Sequence, residues 1–88
     1  MGEVFLKYRI MPDGVEVDLD ALQASIKGAL PAFAQMQKCE AKPFAFGMKC
    51  LETGFVVEDE EGNNDKLEET LAGVDGVQGV EMLEMGRL

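Results

Sequence analysis

The sequence predicts an α+β fold, a four-stranded antiparallel sheet with two helices on one of its faces. Three observations carry this. From Glu3 to Ile10 an apolar face alternates with a mostly charged one, the mark of a half-buried strand. Two later segments place their leucines at helical spacing instead. Turn residues separate six such segments in the order strand, helix, strand, strand, helix, strand.

The first strand runs from Glu3 to Ile10. Val4, Leu6, Tyr8 and Ile10 form its apolar face, and Glu3, Phe5, Lys7 and Arg9 the mostly charged one. Pro12-Asp13-Gly14 ends it with turn chemistry. Asp18 is placed to cap a helix, and Asp20 suits the positive end of its dipole. Leu19, Leu22, Ile26 and Leu30 then recur at helical spacing until Pro31 stops the helix.

A second strand spans Gln35 to Lys42, with Met36 and Cys39 as inward candidates. A third runs from about Phe46 to Glu58, where Gly47 and Gly54 predict a bulge or bend. Together they form a hairpin over the Pro43 region. Glu60 to Asn64 reads as a solvated loop. Asp65 and Glu68 have the spacing of a capping box, and Leu67, Leu71 and Val74 form the buried stripe of a second helix. Gly73 and Gly76 terminate it. The last strand covers Val77 to Met85. Val80 and Met82 lie on one parity and Leu83 and Met85 on the other, which a bulge or a two-sided contact reconciles.

This order is two split β-α-β units, the ferredoxin-like βαββαβ sandwich. The sheet face away from the helices is then open to solvent or a partner. The 88 residues are expected to form one domain, 1–88. The hydrophobic content of 47% argues against disorder. No apolar run approaches the ~20 residues of a membrane span. Met1-Gly2-Glu3 opens no basic-then-apolar leader, so no signal peptide and a cytoplasmic setting are expected.

Seventeen acidic and eight basic residues give a net charge of −9. Such a chain repels phosphate backbones, which argues against nucleic acid as a direct partner. The sequence contains no histidine. Ser-His and Cys-His nucleophile pairs are therefore excluded, and no catalytic residue, metal site or cofactor is expected. Cys39 and Cys50 are too few for a disulfide scaffold. A bond between them across the hairpin is conceivable, but reduced thiols are favoured without a leader.

The acidic run Glu58-Asp59-Glu60-Glu61 fails as a calcium loop, because Asn64 and Thr70 stand where glycine and glutamate are required. Gly73, Gly76 and Gly79 do not follow a strand as a dinucleotide motif does, and read as turn glycines. In Pro43-Phe44-Ala45-Phe46-Gly47-Met48-Lys49, Phe44 reads as core. Phe46, beside Gly47 at the mouth of a hairpin, is the candidate for an exposed interface anchor. Lys49 reads either as an ordinary strand lysine or as a contact. The ending Gly86-Arg87-Leu88 is either a frayed end or one held down by Leu88.

These segments bring the chain to a known family. It resembles archaeal translation elongation factor 1-beta along its whole length. The carriers are Met1-Gly2-Glu3-Val4, Asp18-Leu19, the 43–49 segment, Val56-Val57-Glu58-Asp59-Glu60-Glu61-Gly62, Leu67-Glu68-Glu69 and the Gly-Arg-Leu ending. It is also similar to the C-terminal domain of the eukaryotic factor. Two departures from that domain are Ala45, where it has glycine, and Arg87, where it has lysine.

The resemblance implies a guanine-nucleotide exchange factor for the GTPase elongation factor 1-alpha, acting without covalent chemistry and monomeric when free. It implies partner-binding roles for Phe46, Gly47, Lys49, Arg87 and Leu88. By this resemblance the aromatic at 46 is expected to pack into the GTPase, and the basic residue at 87 to approach its magnesium and phosphate site. The main alternative is a small-molecule-sensing or regulatory ferredoxin-like module. An acylphosphatase-like enzyme lacks its arginine-bearing phosphate loop near Arg9, and an RNA-binding sandwich has the wrong charge.

Overall fold

A computed structural model describes residues 2–44 and 47–88. Its elements are β1 (Glu3–Pro12), α1 (Leu19–Ala29), β2 (Ala34–Pro43), β3 (Lys49–Glu58), α2 (Asn63–Ala72) and β4 (Val77–Arg87). The strands form one antiparallel sheet in the order β2-β3-β1-β4. The expected βαββαβ order and sheet are present.

Alternation in β1 decides where the core lies. Val4, Leu6, Tyr8 and Ile10 are buried, and opposite them on β3 stand Val57, Phe55, Thr53 and Leu51, all buried as well. Leu22 and Ile26 of α1 and Leu67 and Leu71 of α2 complete this layer, so both helices share one sheet face. Fully burying each such side chain contributes roughly 1.5–3 kcal/mol. The Tyr8 and Phe55 rings pack tilted, 6.1 Å apart, near the edge-to-face arrangement that ring quadrupoles favour.

The α1 boundaries follow the sequence signals. The Asp18 carboxylate accepts from the Asp20 and Ala21 N–H groups at 3.0 and 3.4 Å, and the helix stops before Pro31. The start of α2 differs from expectation. It begins at Asn63, two residues ahead of Asp65, behind Gly62 with φ +86 and no side-chain cap. Asn63 is not part of a solvated loop: it is buried, and its Nδ2 donates to the Glu58 carbonyl at 2.9 Å. That tether moves the first turn back to the end of β3. Glu68 is not half of a capping box, because its carboxylate accepts the Tyr8 hydroxyl.

Bulges are expected in the third and last strands, and the structure places them in β4 and β2. β4 carries one at Leu83, between Met82 opposite Tyr8 and Glu84 opposite Lys7. This brings Met82 and Met85 onto one face, the reconciliation the pattern required. β2 carries one at Gln37, so Met36 and Cys39, three residues apart, both meet inward partners, Phe55 and Thr53. β3 has no bulge of its own relative to β1. Its strand begins at Lys49, so Gly47 precedes it and Phe46 lies outside the described residues. Gly54 instead makes room for a ring: a Cβ there would come within 2.8 Å of Phe5.

The opposite sheet face is charged and uncovered. Lys7 pairs with Glu52 at 3.5 Å, Arg9 with Glu81 at 3.4 Å, and Lys38 and Lys42 both with Glu40 at 2.9 and 3.3 Å. The hydrogen bond from Lys38, then that from Lys42, holds the Glu40 carboxyl below its usual range. Cys39 and Cys50 do not face each other. Cys39 stands opposite Thr53 and Cys50 opposite Lys42, and both thiols are free. Burial pushes the Cys39 thiol upward, against a contact with the Thr53 hydroxyl at 3.4 Å.

Candidate functional site

The hairpin end of the sheet is built by β2, β3 and the β1–α1 turn. The Phe44 N–H donates to the Met48 carbonyl at 2.8 Å and closes the connection. Gly47 has φ +74, a conformation that costs a side chain dearly and glycine little. Residues Pro12, Val15, Val17 and Leu19 face Gly47, Met48 and Lys49 across a cleft of about 280 Å³. Lys49 is exposed at its rim, opposite Pro43.

Phe44 is not core, contrary to the sequence reading. It is 43% exposed, with the Arg9 guanidinium 5.5 Å above its ring. Its parity gave no warning, because a residue at a strand end is released from alternation. Val15 is exposed in the turn after β1, and sequence analysis passed over it. An apolar residue directly after Pro12-Asp13-Gly14 was the available signal.

Arg87 and Leu88 lie at the other end. Arg87 pairs with Val4, and the Leu88 N–H donates to the Glu3 carbonyl at 3.0 Å. The tail is therefore neither frayed nor held by its last side chain. Leu88 is exposed, and backbone bonds do the holding. The Arg87 side chain is 82% exposed, and its Asp59 partner is 3.9 Å away. An exposed pair of that length contributes little, so the guanidinium is held loosely on a firmly held backbone.

The structure does not bring the two groups of expected contacts together. Lys49 and Pro43 sit beside the Pro12 end of β1, and Arg87 beside Val4. From Val4 to Pro12, at ~3.3 Å per residue, they are separated by roughly 26 Å along the sheet. The molecule's longest dimension is 41 Å. A partner touching both ends must lie along the sandwich. Among the described residues, no three His, Cys, Asp or Glu side chains are grouped to hold a metal ion. No described helix is long and apolar enough to cross a membrane.

Residues 5–88 match the family described as the EF-1 guanine nucleotide exchange domain. The chain belongs to this family. Among its relatives, a protein of Methanobrevibacter smithii called elongation factor 1-beta is 43% identical over 88 residues, covering 100% of this chain and 99% of that one. Proteins of the same name from Methanosarcina mazei and Natronomonas pharaonis are 42% and 39% identical, each match covering both chains in full. Like this chain, these archaeal relatives are of exchange-domain length. The matched span takes in both the hairpin and the last strand.

Proposed function

We propose that this protein is the guanine-nucleotide exchange factor of elongation factor 1-alpha and promotes GDP release from that GTPase during the elongation cycle. The match of residues 5–88 to the exchange domain carries this reading. The chain acts as one domain, in the cytoplasm, as a monomer when free, without nucleic acid or membrane contact and without covalent chemistry.

A magnesium ion bridging nucleotide phosphates keeps a GTPase's switch segments ordered. A cation brought to that position competes with the metal for the same negative charge. Arg87 is the cation offered here. It is exposed, lightly paired, and carried by a strand whose backbone is bonded up to Leu88. Arginine presents a wider, more weakly hydrated charge than lysine, so its approach to phosphate is through a planar fork. Phe46, Gly47 and Lys49 make a second contact, and the roughly 26 Å between the ends requires two separate regions of the GTPase. Coupling is reciprocal: a factor that weakens nucleotide binding is itself weakened by bound nucleotide, to the same extent.

Stopped-flow release of fluorescent GDP from elongation factor 1-alpha tests the proposal. Release accelerates with increasing factor. A release rate that does not depend on the factor ends it.

A further inference from the structure

β4 is an edge strand, and its second half is mostly exposed. Val77 and Val80 pack against the core, whereas Met82 is 39% and Met85 56% exposed. The bulge at Leu83 puts both methionines on the helix-bearing face, opposite Tyr8 and Leu6, in line with Arg87 opposite Val4. The result is an apolar strip roughly 20 Å long that ends at the candidate cation.

The wall beside the strip is acidic. Glu68 and Glu69 of α2 border a groove whose floor includes Val80. Asp59, Glu60 and Glu61 border a cleft of about 320 Å³ that Met85 lines. Unbranched, polarisable methionines adapt to varied apolar partners. An exposed apolar strip beside one sign of charge selects an apolar side chain flanked by lysine or arginine. A second copy is a poor occupant, because each carries a net charge of −9 and would bring the same acidic wall.

We propose that Met82 and Met85, with this acidic wall, set the affinity for the GTPase by receiving such a basic-flanked apolar residue from it, while Arg87 sets the exchange rate. This division of labour rests on the exchange-factor reading. It makes the β4 strip a docking surface in its own right, one that works with or without the cation at its end.

The test measures GDP release from elongation factor 1-alpha against factor concentration for the parent, Met82→Gln/Met85→Gln, Glu69→Lys and Arg87→Ala. The double variant raises the half-saturating concentration about tenfold or more, with maximal rate unchanged. Glu69→Lys does the same to a smaller degree, and it carries the test alone if the double variant fails a circular-dichroism check of folding. Arg87→Ala lowers the maximal rate and leaves half-saturation in place. An unchanged half-saturation in the methionine variant, or a fall in its maximal rate instead, overturns the proposal. If the parent accelerates nothing, the exchange reading fails separately, and calorimetry with the nucleotide-free GTPase decides the strip. Binding by the parent and not by the double variant upholds it, and any other result removes it. Self-association of the parent in sedimentation, abolished by the methionine changes, assigns the strip to a second copy and also overturns it.

Discussion

The Tyr8 hydroxyl donates to the Glu68 carboxylate at 3.2 Å, joining β1 to α2 across sixty residues of sequence. Burial first, and then the Glu68 charge, pushes the phenol well above its ordinary value. That ordinary value is about 10. Folding therefore favours the protonated ring. Its stabilisation is fully present below the unfolded value and is lost as pH rises toward the folded one. Tyr8 is the only tyrosine and there is no tryptophan, so tyrosinate absorbance reports this residue alone. The signal stays absent through the ordinary range and rises together with loss of the circular-dichroism signal. Tyr8→Phe costs about 1 kcal/mol at neutral pH. It also flattens the alkaline fall in stability. Tyrosinate forming in the ordinary range while the fold persists would contradict this.

Asp18→Ala removes both side-chain bonds at the start of α1. It lowers stability by about 1 kcal/mol. In a domain of this size that is a drop in melting temperature of roughly 4–8 °C. Asp18→Asn and Asp18→Ser retain most of the stability, because either side chain still accepts from the first turn. Thermal unfolding distinguishes the three.

Gly54→Ala places a methyl against the Phe5 ring, at 2.8 Å from its nearest carbon. Gly54 is in the middle of β3, between Lys7 and Lys38 on the neighbouring strands, so the backbone has little freedom to retreat. A loss of about 1–3 kcal/mol is expected in urea unfolding. Combining it with Phe5→Ala relieves the crowding, and the two effects are not additive. Additive losses would show that the ring is not the obstacle.

Arg87→Ala slows GDP release while stability changes by no more than about 0.5 kcal/mol, as for other exposed sites without a strong partner. Phe46→Ala slows release as well. Arg87→Lys keeps most of the rate. If Arg87→Ala and Phe46→Ala both release GDP at the parent rate, the site assignment is wrong even though the activity stands. With roughly 26 Å between Arg87 and Lys49, the effects of Arg87→Ala and Lys49→Ala on the rate of release are close to additive, which a double variant measures.

Much of the fold was legible because strand and helix periods are local. The alternation in β1 named Val4, Leu6, Tyr8 and Ile10 as core, and Asp18 and Pro31 bounded α1. The misreadings fell where a distant group intervened. Asn63 starts α2 early because its amide reaches the Glu58 carbonyl. Glu68 is withdrawn from capping by a hydroxyl on β1. Phe44 is drawn out of the core onto the charged face beneath Arg9. At the candidate site, the residue types at 47, 49, 87 and 88 were readable, but their separation was not. The exposed Met82 and Met85 went unread as a contact, since only the Leu83 bulge aligns them.

By itself the sequence determined the order of elements, the apolar faces of β1 and of both helices, and the residues through which the chain resembles its family. Those follow from short-range sterics and from the spacing of apolar side chains. Tertiary structure alone decided the register and bulges between strands, that the hairpin and Arg87 stand at opposite ends of the sheet, and which methionines surface beside the acidic wall. Strand pairing sets these, because antiparallel register fixes the distance between residues that no local interaction relates.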